Sequence, residues 1–406
     1  MEYVTGGHIR NRARPDVDMN GLKSALRDNG FVLPDYENSN LSVLKGTINR
    51  KRLRGAKKKS IFLVVDGLGY DLVESLLVKG ADAGLLGDAR VEKKSTVFPS
   101  TTTAVITSFE TGRTPAEHGL IGWDIYYKEL GLIITPYRDS AAFSKSVKLG
   151  PNGIGIVFPK PRLFTKASSK GRILIVNPEE LDSGGLSTSG IANCVHEQYS
   201  GSADLFLHLR DAVRKNEAWF IYAYYSGLDH LEHLYGFTSE QAKYQVTSFF
   251  SELNRILLPE LDGSDYELIV TADHGQIEVK KKILLNGRSR IMQYLALPPW
   301  GDMRMLCMSA LPGKEAALTR QFEKDYGNDA IIVDSESLIG TGIFGKTEVG
   351  DDVRPRFGTH IALAKGNAAL HYEYPIAGRT KRQYRFKGTH SGLSRYEMEV
   401  PVITYL

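Results

Sequence analysis

Cysteine is nearly absent. Cys194 and Cys307 are the only two in 406 residues, and they stand far apart and singly. Neither a disulfide framework nor a thiolate metal site follows from them. No stretch approaches the ~20 consecutive apolar residues of a membrane span, which argues against a membrane partner. The opening MEYVTGGHIRNRARPD lacks the apolar core of a secretory leader, so a cytoplasmic, reducing location is the expectation. No charge of one sign dominates, since the formal net charge is +4. Much of that excess sits in one run, KRLRGAKKK, at residues 51–59. Such a run reads as a solvated lead-in to a strand; it is also a weak attraction for anionic partners, and nucleic acid is not implied beyond it. There is no internal repeat and no low-complexity tract. The glycine-rich LIGTGIFGKTEVGDD at 338–352 has neither the strand–loop–helix context nor the Gly-Lys-Ser/Thr ending of a phosphate loop, so it reads as a connector.

With 42% hydrophobic and 24% charged residues, the composition is that of a globular protein, and the length exceeds what one core usually holds. One large domain with a smaller inserted one is expected. Residues 1–58 are polar and punctuated by Gly and Pro, with a short helical stretch near 21–28, and read as an extension packed on the surface. SIFLVVD at 60–66 is a continuous apolar run ending in a carboxylate, the pattern of a strand buried on both faces. Helical stretches at 71–79, 203–216 and 239–258 alternate with further apolar strands at 172–176, 218–226 and 266–273. This alternation predicts an α/β fold with a doubly wound, mostly parallel sheet. Residues 288–310 and 314–334 then suggest strand, helix, strand, a compact α+β module, and 358–374 adds short strands. The last strand, 401–406, returns to the main sheet.

Residues 94–112, KSTVFPSTTTAVITSFETG, carry three consecutive threonines before an apolar run. Pro99 and the short hydroxyls look like a helix start. Its free N–H groups and partial positive charge suit an anion. An ordinary Ser/Thr cap explains the stretch equally well when it is taken alone. Four other places change that weighting. Asp66 follows an apolar strand; Asp229 and His233 follow another and stand four apart, on one side of a helical turn. Asp273-His274-Gly275 follows a third strand, and His390 lies in KGTHSG at 387–392. Three aspartates and three histidines make an O/N ligand set that suits zinc first and manganese second, not calcium. Six such ligands suffice for two divalent ions. With a hydroxyl at an anion-binding helix start, they make a centre for in-line displacement at phosphorus.

The order and spacing of these motifs, from about residue 59 to 402, resemble the alkaline phosphatase superfamily, and within it the type I phosphodiesterase/nucleotide pyrophosphatase family. The resemblance implies that Asp66, Thr102, Asp273 and His274 hold one metal and Asp229, His233 and His390 the other. His230 and Glu232 fall between ligand positions. In that family the nucleophile lies nine residues before the Thr of a Thr-Gly pair and three after a proline. Thr111-Gly112 and Pro99 both select Thr102, with Thr101 as the fallback because the residues after Thr102 depart from the family pattern. The implied chemistry is a phospho-threonine intermediate, with the N–H of Thr103 facing the phosphate. The implied substrate is a small phosphate ester, and a nucleotide is one such ester. A position where many nucleotide pyrophosphatases carry a phosphate-binding Asn falls here on Trp123, which either stacks on a base or belongs to the core. Glu117 and His118 read as structural. The resemblance further implies a core of 59–275 and 375–406, with 276–374 inserted as a cap over the site. Monoesterases and the cofactor-independent phosphoglycerate mutases share this metal core, the latter with a serine nucleophile. Sulfatases require a modified Cys or Ser, and no Cys lies near Thr102. A non-catalytic binding protein of this fold is the remaining alternative.

Overall fold

The computed structural model describes residues 18–50, 59–78, 85–179, 191–375 and 386–406, so nearly all of the basic run lies outside the described residues. Seven strands form one sheet in the order Arg90–Ser95, Glu399–Tyr405, Tyr266–Thr271, Lys59–Val65, Phe220–Tyr225, Ile173–Pro178, Cys194–Tyr199. The last five run parallel. Glu399–Tyr405 is antiparallel both to Tyr266–Thr271 and to the edge strand Arg90–Ser95.

The continuous apolar runs have a direct cause in this sheet. Ile61, Leu63 and Val65 point with Ile221, Ala223, Leu268 and Val270 into one core, under the helices Tyr70–Val78, Ser202–Lys215 and Glu240–Glu252. Phe62 and Val64 point with Tyr222, Tyr224 and Ile269 into the other, under Thr102–Thr111 and Arg162–Ser168. Successive strand residues face opposite sides, so a sheet covered on both faces needs every residue apolar. Asp66 and Asp273 lie just beyond the C-terminal ends of two of these strands, and Asp229 lies four residues beyond a third. That edge is where a parallel sheet collects ligands.

Residues 18–50, the described part of the N-terminal segment, differ from the surface extension expected. Helix Asn40–Asn49 buries Leu41, Leu44 and Ile48 in the second core, and helix Met19–Asp28 buries Leu26 against Ile339 and Leu363 in another apolar cluster. The Asn40 side-chain amide donates to the Ala272 carbonyl at 2.7 Å, next to Asp273. Spacings of three and four place Leu41, Leu44 and Ile48 on one helical face, and the polar residues between them hide that face in the composition.

Two excursions leave the sheet. Residues 125–148 form a four-stranded antiparallel sheet over their own apolar cluster of Ile125, Tyr127, Ile134 and Ala141, which pattern reading did not separate. Residues 300–364 form a second four-stranded sheet, ordered Trp300–Gly301, Met305–Met308, His360–Ala364, Ala330–Asp334, with helix Glu315–Tyr326 packed on it through Leu318 and Phe322. The two excursions touch where the Asp124 N–H donates to the Gly301 carbonyl at 3.1 Å. No helix among the described residues is long and apolar enough to cross a membrane.

Candidate active site

The helix Thr102–Thr111 begins one turn later than the proline suggests. Thr101 N–H bonds back to the Pro99 carbonyl at 2.9 Å, and Thr101 then becomes the N-cap in extended conformation. Its hydroxyl makes no capping bond; it lies beside the Asp302 carboxyl, which burial pushes up to about 7. The N–H groups of Ala104 and Val105 go to the Thr101 carbonyl, which leaves those of Thr102 and Thr103 at the free end of the helix. Thr101 and Thr103 are buried and Thr102 is partly exposed. Of the three hydroxyls, Thr102 Oγ is the one that reaches the cluster, 3.2 Å from His274 Nε2.

Around that same nitrogen stand Asp66 Oδ1 and Asp273 Oδ2, each at 3.4 Å. The other oxygens of both carboxylates are already engaged. Asp66 Oδ2 accepts from the Tyr224 hydroxyl. Asp273 Oδ1 accepts from the N–H groups of Gly67 and His274 at 3.2 and 3.0 Å. The two inward oxygens are buried without a hydrogen-bond partner, a costly state that a cation would relieve. His274 Nδ1 lies 3.3 Å from the Gly275 carbonyl; a proton there leaves Nε2 with its lone pair facing the carboxylates.

Asp229 and His233 sit on the helix Gly227–Tyr235, as the spacing predicts, with Oδ2 and Nε2 3.3 Å apart. His390 Nε2 lies 3.8 Å from Asp229 Oδ1. The same backbone device recurs, with His233 Nδ1 2.9 Å from the Gly388 carbonyl and His390 Nδ1 3.1 Å from the Ser100 carbonyl. The ligand atoms of Asp66, Asp273 and His274 lie within 4.8 Å of one another, and so do those of Asp229, His274 and His390. His274 therefore stands between both groups, its ring stacked on His390 at 3.7 Å. The partition implied by resemblance placed it in one group only.

Glycine makes these approaches possible at two turns. A Cβ on Gly67, whose φ is +83°, would meet Glu232 Oε2 at 2.7 Å and Asp229 Cα at 3.1 Å. A Cβ on Gly275 would lie 2.2 Å from the Tyr396 carbonyl. Burial, and then the facing Asp229, push the Asp66 carboxyl well above its usual range, and Asp273 also moves up, chiefly through burial. His390 moves well down for the same reason, with His274 and His233 next in weight. Its imidazole is neutral, as a ligand must be. Three crowded carboxylates and three inward imidazole nitrogens fit a divalent cation better than they fit one another.

Several site residues escaped the sequence. Tyr224 was concealed in an apolar strand. Gln276 donates its amide to Asp229 Oδ1 and, at 3.2 Å, to the Asp229 carbonyl; nothing in DHGQ marks that role. Glu232 is buried with neither oxygen partnered, and burial raises its carboxyl well above the usual range. Trp123 is half-exposed, not core. Its ring lies parallel to Tyr137 at 6.4 Å, Arg138 approaches its face at 5.4 Å, and the Trp123 backbone N–H donates to Asp302 Oδ2 at 3.0 Å.

His118 is structural. It accepts from the Leu120 N–H on Nδ1 at 3.0 Å and holds the Ser108 hydroxyl on Nε2 at 2.9 Å. Burial, and then Arg356, lower it to about 3. A lowered histidine contributes stability that is present above its unfolded value of 6.5 and lost as pH falls toward about 3. Within that window each pH unit should cost about 1.4 kcal/mol. Asp66 and Asp273 act in the opposite sense, since raised carboxyls stabilise the metal-free protein at low pH. The readout is therefore the difference in urea midpoints between the protein and His118→Gln from pH 7 to 4, which should show one proton less uptake in the variant.

The family model for type I phosphodiesterase/nucleotide pyrophosphatase matches residues 60–392. No curated protein matches the chain. Among solved structures, murine ectonucleotide pyrophosphatase/phosphodiesterase 5 superposes with a TM-score of 0.63 at 14% identity, covering 85% of this chain and 87% of that one. An inactive variant of that murine protein, recorded in complex with AMP, superposes with a TM-score of 0.63 at 13% identity and the same coverage. Phosphonoacetate hydrolase from Sinorhizobium meliloti 1021, in complex with phosphonoacetate, superposes with a TM-score of 0.57 at 17% identity, covering 88% and 92%. These neighbours share the mostly parallel central sheet, and the fold is that of the alkaline phosphatase superfamily. The chain belongs to the type I phosphodiesterase/nucleotide pyrophosphatase family and is a phosphoester hydrolase.

Proposed function

We propose that the protein is a metal-dependent phosphodiesterase that works through a phospho-threonine at Thr102. The observation that carries this reading is Thr102 Oγ standing 3.2 Å from His274 Nε2 at the head of a helix, beside two inward carboxylate oxygens without partners. Asp66, Asp273 and His274 would hold one divalent ion with Thr102, and Asp229, His390 and His233 a second, zinc before manganese. Bound there, the ions supply a lowered hydroxyl pKa at Thr102 and neutralise charge on the phosphoryl group and leaving oxygen.

The chain's own residues do the rest. The helix start fixes Thr102 Oγ for in-line attack. The N–H groups of Thr102 and Thr103 point out of the helix end, where they can receive a non-bridging oxygen as charge develops. Tyr224 and the Gly67 N–H each occupy the outer oxygen of a carboxylate and so aim the inner one. Tyr224→Phe should keep the fold and weaken divalent-ion binding about 10–100-fold, as read by competition with a chromogenic chelator. Trp123, displayed beside Tyr137 near the nucleophile's N-cap, offers its face to a planar group of the substrate, a nucleotide base included. Residues 276–374 act as the cap over a core of 59–275 and 375–406, and they bring Asp302 to the substrate side.

Hydrolysis of two chromogenic esters by the metal-loaded protein tests this reading. Bis-p-nitrophenyl phosphate should be cleaved faster than p-nitrophenyl phosphate. The reverse preference would make the protein a monoesterase, and no turnover of either with ions bound would make it a binding protein.

A further inference from the structure

The excursion between His274 and His390 does more than cover the sheet edge. It sends Arg304 into the interior, where it and Glu397 are both fully buried. Their contact is a two-pronged fork, Nε to Oε1 at 3.1 Å and Nη2 to Oε2 at 3.0 Å. The rest of the network converges on the turn that bears His390. The Arg304 backbone N–H donates to Ser391 Oγ at 3.2 Å. The Glu397 carboxylate accepts from the N–H groups of Gly392 at 2.7 Å and Ser394 at 3.2 Å. Ser100 closes the loop, its hydroxyl donating to the Gly392 carbonyl at 2.7 Å while its own carbonyl faces His390 Nδ1. The Glu397 carbonyl accepts from the Gly275 N–H at 3.1 Å, beside His274.

A fully buried ion pair is poor evidence for stability, because apolar residues of like volume often hold a fold as well. Here it holds something a fold alone does not require. Ser391 has φ +95°, a conformation that a non-glycine residue adopts only under constraint. We infer that the Arg304–Glu397 pair is the positioning device for His390, so that the inserted segment sets the geometry of the Asp229 end of the metal centre. This rests on the metal-centre reading above. The pair touches no substrate and acts through His390.

Two variants test it. Arg304→Met with Glu397→Leu removes both charges together and avoids stranding one in the interior. Arg304→Lys keeps the charge and loses the fork. The first readout needs no metal. In ¹⁵N-labelled, metal-stripped protein, the ring N–H of His390, assigned by its disappearance in His390→Gln, should be protected from exchange. It should be lost from both variants, while the ring signals of His274 stay. The second readout is zinc titration. One of the two binding steps, the one lost in His390→Gln, should fall about 10–100-fold in both variants, with the other step changed less than about twofold. An unchanged His390 ring signal, or equal losses in both binding steps, overturns the inference. If the parent protein binds no zinc, the metal reading fails, and the ring spectra still decide whether the pair positions His390.

Discussion

Thr102→Ala should lower phosphodiester turnover by about a thousandfold or more, the scale on which loss of a nucleophile acts when the rest of the site survives. Thr102→Ser should recover most of it, since a serine hydroxyl can take the same place at the helix start. Thr101→Ala should stay within about tenfold of the parent, because that hydroxyl is buried beside Asp302 and it is the Thr102 hydroxyl that stands 3.2 Å from His274 Nε2. The folded state should be untouched in all three, because Thr101 makes no capping bond and the apolar face of Thr102–Thr111, with Val105, Ile106 and Phe109 in the core, is unchanged. Steady-state kinetics on bis-p-nitrophenyl phosphate, with circular dichroism as the control, measures this. A dead Thr101→Ala beside an active Thr102→Ala would move the nucleophile by one residue.

Asp66→Asn should give the second large effect, in two opposed directions. In the metal-free protein Asp66 faces Asp229 and Asp273 across a buried space, and burial and both neighbours raise its carboxyl. Its ionisation costs stability that is present below its unfolded range and lost as pH rises through the raised value. Asparagine removes that cost and can still accept from the Tyr224 hydroxyl. The stripped variant should thus be more stable than the stripped parent at pH 7, by about 1–2 kcal/mol. Zinc should then reverse the order. At a free concentration a hundred times Kd it adds about 2.7 kcal/mol to the parent for each site filled. It should add less to the variant, whose first site has lost its charge. Denaturant melts with and without zinc measure both arms. A variant less stable than the parent in both states would mean that Asp66 is a structural carboxylate.

The strands were legible because a sheet covered on both faces requires unbroken apolar runs, and residues 60–66 and 266–273 supply them. Asp66 and Asp273 were legible because each ends such a run. Asp229 and His233 were legible because one helical turn brings them together. What the sequence concealed depends on contacts between distant segments. Tyr224 meets Asp66 across adjacent parallel strands; in sequence it is one aromatic among several in AWFIYAYYS. Arg304 and Glu397 lie 93 residues apart, and neither stands in a motif. Helix Asn40–Asn49 was concealed differently. Its apolar face needs only Leu41, Leu44 and Ile48, too few to lift a polar segment above a surface reading. The sheet formed by residues 125–148 escaped because its strands are two to five residues long, shorter than the alternation needed to recognise them.

The direct test is calorimetric titration of the stripped, full-length protein with zinc at pH 7 in buffers of different ionisation enthalpy. Two ions should bind per chain with net release of protons, because carboxyls held above their usual range by burial must ionise to become ligands. One step should vanish in Asp273→Asn. Absence of binding, or binding indifferent to Asp273, would contradict a metal centre built from Asp66, Asp229, Asp273 and the three histidines.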